Sequence, residues 1–182
     1  SLIALLRFGI FWLFSTSPLE ISDEHDFNEI AVGLATKGEF SQDGAPSSMR
    51  PPLYPSFVAV VYSLFGLENY QAVRAIQAIV GLGLSVVVYI IAARMYCSRA
   101  AFWAAVFCSF YPSFLFSANF VLTETVFGFL LAVACLLLQQ FFRDGYRVRW
   151  LVVFGVVWGL AALTRSVLWL LPPFVLVFML WA

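Results

Sequence analysis

The sequence predicts an all-α fold: a polytopic membrane helix bundle of about six membrane helices, with an amphipathic surface helix in the loop after the first. Three observations predict it. Hydrophobic residues make up 63% of the chain, charged residues only 11%, and the mean hydropathy is +0.94, well above the range of a water-soluble domain. Apolar runs follow one another with short polar breaks: Leu2 to Phe14, Ala75 to Ala93, Ala100 to Phe116, Val121 to Phe142, Trp150 to Leu163 and Val167 to Trp181. The few charges are segregated by sign between those breaks.

The spans follow from length. A helix rising ~1.5 Å per residue needs ~20 residues to cross ~30 Å of hydrocarbon, which places membrane helices near residues 2–18, 72–94, 100–117, 120–142, 148–163 and 166–182, with an outer loop over 19–71. The front run is read as a shortened spanning helix, because "FSTSPLE" lacks the cleavage site that a secretory signal requires. Both ends look cut, which suggests a piece of a larger polytopic protein. "LYPSFVAVVYSLFG", Leu53 to Gly66, is too short to span and opens on Pro51, Pro52 and Pro55, so it is expected to lie along the surface. Trp150 to Ala182 is too long for one crossing. The chain is expected to turn at "LTRS", with Arg165 at the outer surface and Pro172 and Pro173 interrupting the returning helix.

Charge sets the sidedness. Arg94, Arg99, Arg143, Arg147 and Arg149 occupy two turns separated by two spans, which marks the cytoplasmic face by the positive-inside rule. Every acid except Asp144 lies elsewhere, which puts the acidic loop in the opposite compartment. Cys97, Cys108 and Cys135 are odd in number and give no disulfide framework; Gly155 and Gly159 form a GxxxG pair read as close helix packing within the molecule.

"ISDEHDFNEIAVGLATKGEF" breaks the apolar pattern. Phe27, Ile30, Ala31, Leu34 and Ala35 recur at spacings of three and four, while Asp23, Glu24, Asp26 and Glu29 take other faces. Ser22 or Asp23 can cap this helix and Lys37–Gly38 can end it. A cap and the helix dipole account for one or two carboxylates, but crowded like charges need compensation by a cation, a substrate or a basic side chain. On chemistry alone both a cap and a catalytic carboxylate fit these acids. "DEHD" also offers ligands for Mn²⁺ or Mg²⁺, but consecutive helical residues point apart, so no tightly held metal is expected. His25 is the sole histidine, which excludes any two-histidine mechanism from this piece.

The basic counterparts follow. Arg50 in "SSMRPPLYP" is presented by a stiff proline segment and can grip a phosphate bidentately; Tyr54 adds a hydroxyl. Anchoring among lipid headgroups is the bland alternative for both. Arg74 opens a membrane helix, where an arginine either snorkels or pairs with an acid or a phosphate. Glu124 in "LTETVF" is read as a helix-start carboxylate, possible partner to a neighbouring arginine.

The order "DEHDFNEIA", "RPPLYP", "AVRAIQAIVG", "YPSFLFSANFVLTETVF", "GLAALTRS" resembles the N-terminal half of the polyprenyl-phosphate-sugar-dependent glycosyltransferases of the GT-C fold, in particular the protein mannosyltransferase and lipid A aminoarabinose transferase branch. The resemblance covers nearly the whole chain, so residues 1–182 would be the N-terminal part of one GT-C-like transmembrane domain. It implies Asp23 as general base on an acceptor hydroxyl, supported by Glu24. Arg50, Arg74, Tyr54 and Arg165 would hold the donor phosphate, with Asp26 and Glu124 in support. Phe27 stands where a tyrosine is usual, and "LTRS" lacks the usual proline after arginine.

The implied reaction is an inverting transfer from a polyprenyl-phosphate-linked sugar, hexosyl or pentosyl, to a protein or lipid-linked glycan acceptor. It would occur at the non-cytoplasmic face of the plasma or inner membrane. Membrane lipids are expected partners; nucleic acid and a cofactor are not. The competing reading is a transporter or channel piece whose intramembrane charges line a substrate path. A third is that this piece lacks enough of the donor cavity to act alone.

Overall fold

The computed structural model describes residues 19, 21–42 and 44–170. The expected helix at 2–18, the stretch 171–182 with Pro172 and Pro173, and the acids Glu20 and Asp43 lie outside the described residues. Within them the fold is all-α apart from one small hairpin. In chain order the elements are α1 (Ser22–Lys37), β1 (Ser41–Gln42), β2 (Ala45–Pro46), α2 (Leu53–Phe65), α3 (Tyr70–Met95), α4 (Ser98–Phe110), α5 (Pro112–Asn119), α6 (Glu124–Arg143), α7 (Val148–Thr164) and a 3₁₀ turn (Ser166–Leu170). The strands β1 and β2 pair antiparallel, Ser41 opposite Pro46 and Gln42 opposite Ala45.

Among the described residues two helices are long and apolar enough to cross a membrane, α3 with 26 residues and α6 with 20; at ~1.5 Å per residue they extend ~39 and ~30 Å. They pack side by side, with α4 against α3 and α7 against α6. Arg94 Nη1 donates to Gln140 Oε1 at 3.0 Å. This bond joins the C-terminal ends of α3 and α6, so these two helices run in the same direction. The turns carrying Arg94, Arg99, Arg143, Arg147 and Arg149 therefore share one end of the bundle. Large apolar side chains such as Ile79, Phe107 and Val156 are exposed along the helices, as surfaces that face lipid require.

The apolar run Ala100 to Phe116 does not form a single helix. Pro112 lacks a backbone donor and forces its predecessor away from helical angles; Tyr111 is extended at φ −60°, ψ 121°, and Pro112 opens α5. Residues 120–123 become a connection, so the next helix begins at Glu124. Among the described residues, a Cβ at Gly155 or Gly159 would meet nothing within 4 Å, whereas one at Gly128 would lie 2.9 Å from the Phe114 ring and one at Gly83 3.1 Å from Phe129. Within that set α7 meets its neighbours through Ala161 and Ala162, packed with Trp158, Phe127 and Leu131.

At the end of the bundle opposite the arginine turns, α1 and α2 form a cap. Phe27 and Ala31 of α1 pack on Tyr54, Val58, Val61 and Tyr62 of α2, and the cluster reaches Val73 and Val121. The apolar stripe of α1 thus faces protein. With 13 residues, α2 extends only ~20 Å, short of a crossing, and it rests on α3 and α7. Gly38 takes φ 71° and accepts the left-handed turn that ends α1.

Candidate functional site

The first turn of α1 carries Asp23 and Glu24, and Asp26 follows in the next. Asp23 and Asp26 are three residues apart and so share a helix face. Arg50 approaches that face from the proline segment that begins at Pro51. Its Nη2 donates to Asp23 Oδ1 and to Asp26 Oδ2, both at 2.6 Å. The guanidinium lies 5.3 Å from the centre of the Phe27 ring, a cation–π distance. The Asp26 hydrogen bond, opposed by partial burial and reinforced by Asp23, raises the Arg50 pKa further above its ordinary value. Arg50 is therefore a fixed positive charge.

A second ion pair stands nearby. Glu124, in the first turn of α6, accepts from Arg165 Nη1 at 3.1 Å, and the Arg165 guanidinium lies 5.8 Å from the Phe127 ring. Arg165 is placed there because α7 ends at Thr164 and the chain turns through extended Arg165 into the 3₁₀ turn. A cavity of about 280 Å³ lies between the two pairs, lined by Asp23, Phe27, Arg50, Thr123, Glu124 and Arg165, among others. A second cavity of about 300 Å³ shares Met49, Arg50, Pro51 and Ser166 with the first and continues along Ala162, Leu163 and Trp169. Both are near the lower end of the size range for small-molecule sites.

Glu24, Tyr54 and Arg74 do not line either cavity; they are fully buried beneath them. Glu24 Oε2 accepts from the Ile21 backbone N–H at 3.1 Å, and its Oε1 accepts from that of Val121 at 2.7 Å with Arg74 Nη2 at 3.8 Å. The Glu24 carboxylate closes the first turn of α1 in place of the expected Ser22 or Asp23 cap, and joins α1 to the α5–α6 connection and to α3. Tyr54 donates to Gln77 Oε1 at 3.1 Å, and Gln77 Nε2 lies within 3.2 Å of the carbonyls of Ser117, Phe120 and Leu122. Burial pushes the Tyr54 hydroxyl well above its usual pKa, which keeps it a neutral donor.

A further strap sits at the far side of the cap. Tyr62 donates to Asn28 Oδ1 at 2.6 Å, and Asn28 Nδ2 and the Tyr70 hydroxyl both donate to Glu68 Oε1. The structure thus brings Asp23, Asp26, Arg50, Glu124 and Arg165 to one place and makes Glu24, Tyr54 and Arg74 the framework that holds them. Gln77 and Thr123 are the members that sequence reasoning missed. Gln77 had a signal, since it follows Arg74 by three residues on one helix face; Thr123 had none beyond its adjacency to Glu124.

A family model described as dolichyl-phosphate-mannose-protein mannosyltransferase matches residues 49–182. The match takes in Arg50, Tyr54, Arg74, Glu124 and Arg165 and leaves out the acidic helix α1. No curated protein and no solved structure matches the chain.

Proposed function

The chain belongs to the dolichyl-phosphate-mannose-protein mannosyltransferase family, and is thus of a membrane glycosyltransferase kind of the GT-C type; from that premise we propose that it serves transfer of a sugar from a polyprenyl phosphate to an acceptor hydroxyl, with inversion. Asp23 is the general base. The observation that carries this reading is the single cavity wall that holds the Asp23 carboxylate together with the guanidinium groups of Arg50 and Arg165.

The chemistry needs that set. When a sugar joined through phosphate is transferred, the leaving group is a lipid phosphate whose charge rises as its bond to the anomeric carbon breaks, and fixed cations lower the energy of that state. Arg50 and Arg165 supply them, and Glu124 orients Arg165. The acceptor oxygen forms its new bond from the opposite face while its proton passes to Asp23, a step in which a positioned base contributes roughly 10²–10⁴-fold. Attack from that face inverts the anomeric centre. The family's description names dolichyl phosphate mannose as donor and protein as acceptor, and both fit a phosphodiester-binding, hydroxyl-activating site. The site is proposed to face the non-cytoplasmic side, because the arginine-rich turns lie at the other end of the bundle.

The test is Asp23→Asn in the full-length protein, reconstituted with a labelled polyprenyl-phosphate sugar and an acceptor. Transfer is expected to fall at least ~100-fold with membrane insertion unchanged. Normal turnover by that variant removes the base assignment.

A further inference from the structure

We propose that Asp26 is a positioning residue, one that retains Arg50 at the cavity wall at the moment Asp23 loses its negative charge. The proposal rests on the transfer reading above. One nitrogen atom supplies the argument. Nη2 of Arg50 donates to Asp23 Oδ1 and Asp26 Oδ2 at the same 2.6 Å; a guanidinium NH₂ has two hydrogens, so each carboxylate takes one. The two acids are not equivalent in place. Asp23 lines the cavity and its side chain is 50% exposed, whereas Asp26 lies behind Arg50, outside the cavity lining, and is 26% exposed.

The reaction treats them differently. The acceptor O–H bond breaks and its proton goes to Asp23; the acceptor oxygen bonds to the anomeric carbon; the bond from that carbon to the phosphate oxygen breaks, and its electron pair stays on the phosphate. Two changes therefore coincide. Asp23 becomes neutral, which turns its charge-assisted bond to Arg50 into a weaker one, and the departing phosphate gains negative charge. An Arg50 anchored by Asp23 alone would lose its hold when the phosphate most needs it. Asp26 takes no proton in this step and keeps Nη2, with the Phe27 ring 5.3 Å from the guanidinium as a second support. The Nη1 and Nε donors take no part in either aspartate bond and are the ones assigned to the phosphate.

This role separates kcat from KM. Before reaction Asp23 still holds Arg50, so Asp26→Ala is expected to leave KM for the labelled polyprenyl-phosphate sugar within about threefold and to lower kcat at least about tenfold, the scale of a lost charged hydrogen bond. Asp26→Glu is expected to recover most of kcat. In an Arg50→Ala background, Asp26→Ala is expected to add no further loss, because it acts through Arg50. Full-length protein in proteoliposomes serves for all four variants.

An unchanged kcat in Asp26→Ala, or equal losses in both Arg50 backgrounds, overturns the proposal. Should Asp26→Ala fail to accumulate in the membrane, Asp26→Asn keeps the side-chain length and carries the same test, and wild-type kcat there overturns it. The two readings fail separately. A normally active Asp23→Asn sinks the transfer mechanism, whereas an inactive Asp23→Asn beside a fully active Asp26→Ala sinks only the role given to Asp26.

Discussion

Replacing Glu24 by Gln is expected to release the first turn of α1 from the rest of the cap while leaving the membrane helices in place. The wild-type carboxylate accepts two backbone N–H bonds, from Ile21 at 3.1 Å and Val121 at 2.7 Å, and faces Arg74 at 3.8 Å with both side chains buried. Gln has one oxygen and one NH₂, so only one of the two backbone donors can keep an acceptor. The other then meets a donor, and the buried guanidinium loses the negative charge it faces. Breaking a buried pair from one side costs about 3–5 kcal/mol, and each 1.4 kcal/mol is about tenfold in an equilibrium. Local opening of this turn should therefore increase by roughly two to three and a half orders of magnitude. Hydrogen exchange in the full-length protein reads it directly, through peptides that contain the Ile21 and Val121 amides. Peptides from the bundle, such as one covering residues 84–95, are the internal control. Exchange at Val121 equal to wild type would refute the claim that Glu24 fastens α1 to the α5–α6 connection.

Three further outcomes are expected. Gly128→Val should lower the thermal midpoint measurably, because even a Cβ there would sit 2.9 Å from the Phe114 ring, while Gly155→Ala, with open space around it, should leave the midpoint unchanged; the reverse order would contradict the packing. Asp144 accepts from the Trp150 indole and from Arg149, both at 2.8 Å, and these contacts hold its carboxyl below the ordinary value of 3.8. A lowered folded pKa means that the contact stabilises at pH well above 3.8 and that this is lost as pH falls through the lowered value, so melting curves of wild type and Asp144→Asn should differ at pH 7 and converge in acid. Transfer by the full-length protein should persist in EDTA, since Arg50 and Arg165 supply the positive charge for the phosphate; restoration of a lost activity by Mn²⁺ or Mg²⁺ would show that a metal does so instead.

The legible part of this fold was the part governed by hydropathy and by charge. The apolar runs located α3, α6 and α7 because a membrane helix must satisfy its own backbone and present oil-like side chains, which any reading of composition detects. The 3.6-residue spacing of Phe27, Ile30 and Ala31 gave α1 for the same kind of reason. What the sequence did not show was which partner each charge finds. Glu124 and Arg165 are 41 residues apart and meet only because α6 and α7 form a hairpin. Glu24 sits beside Asp23 in sequence yet points the opposite way, inward to Val121, ninety-seven positions on. Adjacent helical residues diverge by about 100°, so two acids written side by side could be divided between cavity and framework. The break at Tyr111 was readable from Pro112, but the unbroken hydropathy of the run concealed it.

The charges around the cavity also bear on how an anionic donor reaches it. Asp23 and Glu124 on the wall stand against the guanidinium groups of Arg50 and Arg165, with Asp26 behind Arg50, so these five groups together sum to about −1 at neutral pH. Such a site offers a phosphodiester local hydrogen-bond donors without net long-range attraction. Binding of the proposed donor must then draw on another source: a polyprenyl chain would confine its phosphate to the membrane surface, and confinement raises effective concentration without any new contact. The cap formed by α1 and α2 sits at the end of the bundle opposite the arginine turns, so a headgroup held at that surface would lie beside the cavity. Rigid mounting by Glu24, Arg74 and Gln77 keeps the space between the two ion pairs open, because opposite charges carried on unsupported loops would collapse onto one another.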